Sequence, residues 1–293
     1  MRAMRIHRYG DAAVIQSDDV PTPAPGPGEV LVHVAATSFN PSDIGVRRGL
    51  LRDVLPIDLP YTLGGDVSGT VAATGPDVTA PAVGDRVFGR VPAAAADYVV
   101  APAGLLATAP ESIPLAHAAA VPIAGLTAWQ AVFEHARLTP GDRVLINGAG
   151  GGVGGFAVQL AKHAGAYVIA TASARSAGAV REQGADEIID YTADPVTCPP
   201  VDAILNLADL RPEQAADLRS LLRPDGVLVS ITVPVGVHFV ARNDPAQLTA
   251  LAALIDAGVV RVDIAGARPL TDLPAVHRAA EAGHLRGKTI LLP

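Results

Sequence analysis

The stretch Arg143-Val-Leu-Ile-Asn-Gly-Ala-Gly-Gly-Gly-Val-Gly-Gly-Phe-Ala-Val-Gln-Leu-Ala-Lys162 constrains the fold more than any other part of the chain. Val144-Leu145-Ile146 is a short apolar run suited to a buried parallel strand. Gly148, Gly150, Gly151, Gly152 and Gly154 follow, and then Val153, Ala157, Leu160, Ala161 and Ala164 recur at helical spacing. Gly165 stands where a helix would be capped at its C-terminus. A strand, a glycine turn and a helix in this order let backbone approach a pyrophosphate while the first N–H groups of the helix point at it. The chain is therefore expected to bind a dinucleotide.

Glycine-rich turns are common, so the surroundings must carry the reading. Two registers fit: Gly150-x-Gly152-x-x-Gly155, and the variant Gly148-x-x-Gly151-x-x-Gly154. A second strand, Tyr167-Val-Ile-Ala-Thr171, completes a βαβ unit. The plainer alternative is a tight strand-to-helix turn with no ligand. An NAD site usually places an acid roughly 20 residues beyond the turn to bind the ribose hydroxyls. Here that region reads Thr171-Ala-Ser-Ala-Arg-Ser176, with no acid, a hydroxyl at Ser173 and a guanidinium at Arg175. Arg can pair with a 2′-phosphate that a carboxylate would repel, so the reading is NADP(H) over NAD(H). Alternatively, Ser173 caps the next helix and Arg175 is a solvated first-turn residue; both can hold at once.

At 293 residues the chain is long enough for two domains. No uninterrupted span of about 20 apolar residues occurs, so no transmembrane helix is expected. The basic N-terminus, Met1-Arg-Ala-Met-Arg-Ile-His-Arg8, lacks a signal-peptide apolar core, which makes a cytoplasmic chain the expectation. A net charge of −7 argues against a nucleic-acid surface. The single cysteine, Cys198, cannot form an internal disulfide, and no partner in the sequence marks it as a nucleophile.

Two textures divide the chain. Residues 1–120 carry short β-like runs broken by Pro and Gly, such as Glu29–Val34, Val67–Ala72, Arg86–Phe88 and Asp97–Val100, and read as a largely antiparallel β domain. Residues 121–265 alternate strands at 143–147, 167–172, 187–190, 202–208, 226–231 and 237–242 with helices at about 175–183, 213–223 and 245–257. That pattern predicts a doubly wound parallel sheet. The tail, 266–293, ends in a strand-like Thr289–Leu292 that can rejoin the first domain. The space between two such domains is where nicotinamide and substrate are expected.

Several separated motifs now occur in a meaningful order: Asn40-Pro-Ser-Asp43, Gly64-Gly-Asp-Val-Ser-Gly-Thr-Val71, Val83-Gly-Asp-Arg-Val-Phe-Gly89, Ala119-Ala-Val-Pro-Ile-Ala-Gly-Leu-Thr-Ala-Trp129, the glycine turn, Gly184-Ala-Asp-Glu-Ile-Ile-Asp-Tyr191 and Gly283-His-Leu-Arg-Gly-Lys-Thr-Ile290. Over nearly its whole length the chain resembles the medium-chain dehydrogenase/reductase superfamily, and within it the zinc-free quinone oxidoreductase branch related to zeta-crystallin. The resemblance implies an α/β protein with a GroES-like β domain, a Rossmann domain and NADPH. It also implies hydride reduction of a quinone or an α,β-unsaturated carbonyl compound. Residue by residue, Gly151, Gly152, Val153 and Gly154 match the pyrophosphate turn. Ser173, Arg175 and Tyr191 match positions around the adenosine 2′-phosphate, and Thr127 matches a position near the nicotinamide ribose. Asn206 and Ala208, with Phe239 and Ala241, match strand ends flanking the nicotinamide. Lys288 matches a Gly-Lys position near the C-terminus. Read without the resemblance, Tyr191 is a half-buried core residue and Lys288 a solvated strand residue.

The zinc-binding branch has Gly-His-Glu where this chain has Gly64-Gly65-Asp66, and a Cys where it has Asn40-Pro-Ser-Asp43. It also uses a four-cysteine structural site that one cysteine cannot build, so no metal is expected. The hydride belongs to the cofactor, and the protein must place it and stabilise the growing negative charge. Asn40 and Asp43 are the polar candidates; equally, Asp43 caps a helix starting near Ile44. Tyr61, Arg47 and Arg48 can line a cleft mouth. Relatives carry a Tyr after Asn-Pro-x-Asp and a longer segment before Tyr98, whereas this chain has Ile44 and the shortened Arg90–Asp97. A shorter segment suits a bulkier substrate. Two other readings stand beside the quinone or enone reductase: an enoyl-thioester reductase, and an NADPH-binding structural or regulatory protein without turnover. Relatives pair their last Rossmann strand in a homodimer, a role open to Val237–Arg242.

Overall fold

The computed structural model describes all residues, 1–293. In chain order the first strands are β1 (Arg2–Ile6), β2 (Ile15–Asp19), β3 (Glu29–Ser38), β4 (Tyr61–Thr62), β5 (Asp66–Thr74), β6 (Arg86–Arg90), β7 (Tyr98–Pro102) and β8 (Leu106–Thr108), with helix α1 (Pro41–Arg48) after β3. Helices α2 (Leu115–Ala118) and α3 (Pro122–Trp129) follow, and α3 runs on into a π-helical turn, Gln130–His135. Then come β9 (Arg143–Asn147), α4 (Gly152–His163), β10 (Tyr167–Ala172), α5 (Ala174–Glu182), β11 (Glu187–Asp190), β12 (Val201–Asn206), α6 (Pro212–Ser220), β13 (Leu222–Ser230) and β14 (Val237–His238). The chain closes with α7 (Pro245–Asp256), β15 (Ile264–Pro269), α8 (Leu273–Glu281) and β16 (Lys288–Leu292).

Contacts divide the chain into two units, one of 1–123, 243–256 and 264–293, the other of 124–242 and 257–263. The first unit holds a seven-stranded sheet in the order β15-β16-β3-β5-β6-β8, with β7 also on β3, and a three-stranded sheet β2-β1-β4. Alternation builds it: Val30, Val32 and Val34 of β3 share one face and pack with Val67, Val71, Val87 and Val99. The closing strand β16 pairs antiparallel with β3, Ile290 opposite Ser38. A second apolar cluster, including Met4, Ile6, Phe39, Leu63, Leu273, Val276 and Leu291, lies under α8.

The second unit is a six-stranded sheet in the order β11-β10-β9-β12-β13-β14, every neighbour parallel. Val144, Leu145 and Ile146 are fully buried, as are Val168, Ile169 and Ala170 on β10, which is how strands covered by helices on both faces read. The order reverses at β9, so the boundary between β9 and β12 is the switch point where such sheets take their ligands.

One expectation is corrected. The strand over 237–242 is only Val237–His238, because the backbone of Arg242 is claimed elsewhere. The Gln130 amide donates to the Arg242 carbonyl at 3.0 Å and accepts from its N–H at 3.0 Å, and the Phe239 ring turns to His135, centroids 4.2 Å apart. By contacts, α7 and β15 cluster with the first unit, α7 through β8 and β15 through β16.

Candidate functional site

The glycine turn lies at the carboxyl end of β9. Gly148 has φ +87°, and a Cβ there would come within 3.1 Å of the Ala208 Cβ. At Gly154 a Cβ would fall 2.4 Å from the Ala149 carbonyl oxygen. These two positions need glycine for conformation and close packing, and Gly154 is buried. Gly151, Gly152 and Val153 remain accessible. Gly151 caps α4 without any side-chain hydrogen bond, and no acid occupies the first turn of that helix. The exposed start of a 12-residue helix, with its free N–H groups and positive dipole end, suits a phosphate group.

The other cofactor candidates fall on neighbouring strand ends. Tyr191 follows β11 and is 54% exposed, so it is no core residue. Ser173 caps α5 after β10, with Arg175 exposed in the first turn and no acidic residue there. Asn206 ends β12, fully buried, and Ala208 is two residues on. Phe239 and Ala241 follow β14, Phe239 half-buried against His135. Thr127 is buried within α3. Topology thus gathers all of these but Thr127 at one edge of the parallel sheet.

Lys288 belongs to a different cluster, in the first unit. It is 4% exposed, so the solvated reading of this strand residue is wrong. Its ammonium donates to the Asn40 Oδ1 at 2.7 Å and the Phe39 carbonyl at 3.1 Å, and lies 3.6 Å from the Asp66 carboxylate. Asp66, fully buried, accepts from the Ser38 hydroxyl at 2.6 Å, the Asn40 Nδ2 at 2.7 Å and the Ile123 N–H at 2.8 Å. Both ends of the Asn40 amide are therefore engaged inside the protein, with a longer contact from Nδ2 to the Ser38 carbonyl at 3.5 Å. Burial pulls the Lys288 ammonium below its usual range, opposed by the Asp66 and Asp43 carboxylates.

Asp43 is the remaining member. Helix α1 starts at Pro41, earlier than Ile44, and Asp43 sits at its third position, accepting the Asn40 backbone N–H at 2.9 Å. Loss of solvation pushes the Asp43 carboxyl up to about 7; the Asn40 bond and Lys288 oppose the rise and Asp66 adds to it. Tyr61 is close enough that burial and then the Asp43 charge raise its phenol above the usual range. Arg47 does not line an opening: it is fully buried and paired with Glu281, whereas Arg48 is exposed and pairs with the same carboxylate.

The shortened segment before Tyr98 is pinned down. Ala94, Ala95 and Ala96 are buried, the Met4 N–H donates to the Ala95 carbonyl, and the Asp97 carboxylate takes the Arg2 N–H at 2.6 Å. Burial raises the Cys198 thiol, which leaves it a poor nucleophile. No group of three or more His, Cys, Asp and Glu side chains is placed to hold a metal ion. Sequence reasoning missed the centrality of Asp66 and the set Asn147, Thr171, Ser230 and Thr232; polar residues ending apolar strands were the available signal.

Comparison with known proteins bears on both units. Residues 26–111 match the alcohol dehydrogenase GroES-like domain, and 183–291 match the zinc-binding dehydrogenase domain. The chain is 34% identical over 324 aligned residues to the mitochondrial NAD(P)H oxidoreductase RTN4IP1 of Mus musculus, covering 90% of this chain and 82% of that one. It is 39% identical over 201 residues to a chloroplastic quinone-oxidoreductase of Triphysaria versicolor, a match spanning 65% of this chain and 61% of the relative's length. Among solved structures, the quinone oxidoreductase of Coxiella burnetii superposes with a TM-score of 0.91 at 30% identity, covering 100% and 99% of the two chains. The Escherichia coli quinone oxidoreductase complexed with NADPH gives 0.88 at 26% identity, covering 100% of both.

Proposed function

The chain belongs to the zinc-free quinone oxidoreductase branch of the medium-chain dehydrogenase/reductase superfamily, and on that premise we propose that it is an NADPH-dependent reductase of quinones or α,β-unsaturated carbonyl compounds. The observation that carries the cofactor half is the row of strand ends. An accessible glycine turn, with no side-chain cap at its helix start, stands near Ser173 and Arg175, and neither α4 nor α5 carries an acidic residue in its first turn. Gly151, Gly152 and Val153 would hold the pyrophosphate, Ser173, Arg175 and Tyr191 the 2′-phosphate, and Thr127, Asn206, Ala208, Phe239 and Ala241 the nicotinamide half. Bound there, NADPH would supply a hydride, which with one proton reduces an enone to the saturated carbonyl compound or a quinone to the hydroquinone.

Asp43 is the residue of this chain suited to holding a proton for the substrate oxygen. Its carboxyl is buried, carries a single hydrogen bond and titrates at about 7, so near neutrality both forms are populated. Asn40, with both amide ends engaged, acts instead by fixing Asp43 through its backbone N–H. Lys288 then serves the proton-holding cluster rather than the nucleotide.

The experiment is NADPH oxidation measured against simple quinones, bulky polycyclic quinones, enones and enoyl thioesters. Turnover of a quinone or enone, with bulky acceptors preferred, is the expected result. Turnover of enoyl thioesters alone would replace the substrate class, and tight NADPH binding with no turnover of any acceptor would overturn the reductase reading.

A further inference from the structure

Beneath the strand ends runs a circuit of buried and partly buried hydrogen bonds that includes Asn206 and the Ala208 carbonyl and links them to the glycine turn. It begins at the Gly148 N–H, which donates to the Thr171 hydroxyl at 3.0 Å. That hydroxyl donates to the Asn147 Oδ1 at 2.9 Å, and the Asn147 Nδ2 donates to the Asn206 Oδ1 at 2.8 Å. The Asn206 Nδ2 donates to the Ser230 and Thr232 hydroxyls at 3.2 and 3.1 Å, and Thr232 donates to the Ala208 carbonyl at 2.8 Å. Thr171, Asn206 and Ser230 are fully buried, and Asn147 is 8% exposed.

The direction of the chain is forced. A backbone N–H at one end can only donate, and a backbone carbonyl at the other can only accept. Thr171 therefore accepts at Gly148 and donates onward, and Thr232 donates to Ala208 and accepts from Asn206. Both amides between them are left one consistent orientation. Bonds aligned head to tail in a buried setting strengthen one another. The two ends also meet: Gly148 and Ala208 abut so closely that a Cβ on Gly148 would lie 3.2 Å from the Ala208 nitrogen. At the centre, Asn147 and Asn206 are register partners on β9 and β12, across the switch point of the sheet.

We propose that Thr171, Asn147, Asn206 and Thr232 are positioning residues that hold the glycine turn and the loop after β12 at the separation the nucleotide requires. The proposal rests on the chain binding NADPH. The circuit touches the turn that would take the pyrophosphate and the loop beside the nicotinamide, but not Ser173 or Arg175. It acts on the pyrophosphate and nicotinamide half of the ligand and leaves the adenosine 2′-phosphate half alone.

Thr171 offers the cleanest test, because Val keeps its shape and Ser keeps its hydroxyl. NADPH and adenosine 2′-monophosphate, which lacks the pyrophosphate, are titrated into the wild type, Thr171→Val and Thr171→Ser, with thermal unfolding recorded for each. Thr171→Val is expected to weaken NADPH at least tenfold, leave the monophosphate within twofold, and be rescued by Thr171→Ser. Equal weakening of both ligands, equal loss in Val and Ser, or unchanged NADPH affinity in Thr171→Val would overturn the proposal while leaving the cofactor assignment standing. A wild-type chain that binds no NADPH would overturn both. Should Thr171→Val fail to fold, Thr232→Val, which can neither accept from Asn206 nor donate to the Ala208 carbonyl, is expected to reproduce the selective loss, and equal loss of both ligands there would overturn the proposal.

Discussion

The parallel-sheet unit buries amides and hydroxyls, Asn147, Thr171, Asn206 and Ser230, in a neutral circuit anchored at both ends on backbone. The β-rich unit buries ions: Lys288 and Asp66 form a pair, with Asp43 beside them on α1. A neutral circuit has no charge to desolvate, so it fixes geometry over a wide pH range. Buried ions are costly to desolvate and answer to the loss of any one partner or proton. The first kind of site suits holding a large ligand in one place. The second suits storing a proton whose release is tuned by its neighbours.

Removing the buried cation should break the ionic region most severely. Lys288→Met leaves Asp66 and Asp43 without their neutralising charge and is expected to cost about 3–5 kcal/mol. Chemical denaturation measures this, and Lys288→Met combined with Asp66→Leu should recover much of the loss. If the single variant is as stable as the wild type, the ion pair does not organise this region. The neutral circuit should show no comparable pH response in its own variants.

A smaller effect separates Asp43 from its surroundings. Its carboxyl titrates at 3.8 when unperturbed and at about 7 here. The folded state then holds the proton that the unfolded state releases. Stability from this group is full below the lower value and is lost as pH rises toward the upper one. His277 works in the opposite sense. Burial, aided by Arg47, moves its imidazole from 6.5 to about 4, so its contribution is present above the higher value and lost as pH falls through the lower. Stability of Asp43→Asn minus that of the wild type, followed from pH 4 to 8, should isolate the first trend. Turnover in the wild type should decline above about pH 7, and Asp43→Asn should lose that decline with most of its kcat. A variant with wild-type kcat and an unchanged profile would remove Asp43 from the chemistry.

Legibility in the sequence differed between these regions for a physical reason. Strand β9, the glycine turn and α4 are written in adjacent residues, with Val144–Ile146 apolar and glycines where backbone must crowd backbone. The helix over 245–256 was legible as a helix, but its place in the first unit depends on β8, far away in the chain. The strand after Gly236 looked longer than it is, because nothing local reveals that the Gln130 side chain takes the Arg242 backbone. Lys288 at the head of an apolar strand reads as solvated until Asp66 and Asn40 are brought to it. The circuit draws on four strands, and no window of sequence contains two successive links of it.

NADPH binding at the strand ends underlies both the turnover and the positioning circuit, and a side-by-side titration of the chain with NADPH and NADH tests it most directly. The wild type is expected to bind NADPH at least tenfold more tightly, and Arg175→Ala to lose affinity for NADPH much more than for NADH. Equal affinity of the wild type for the two cofactors, or equal losses in the variant, would contradict it.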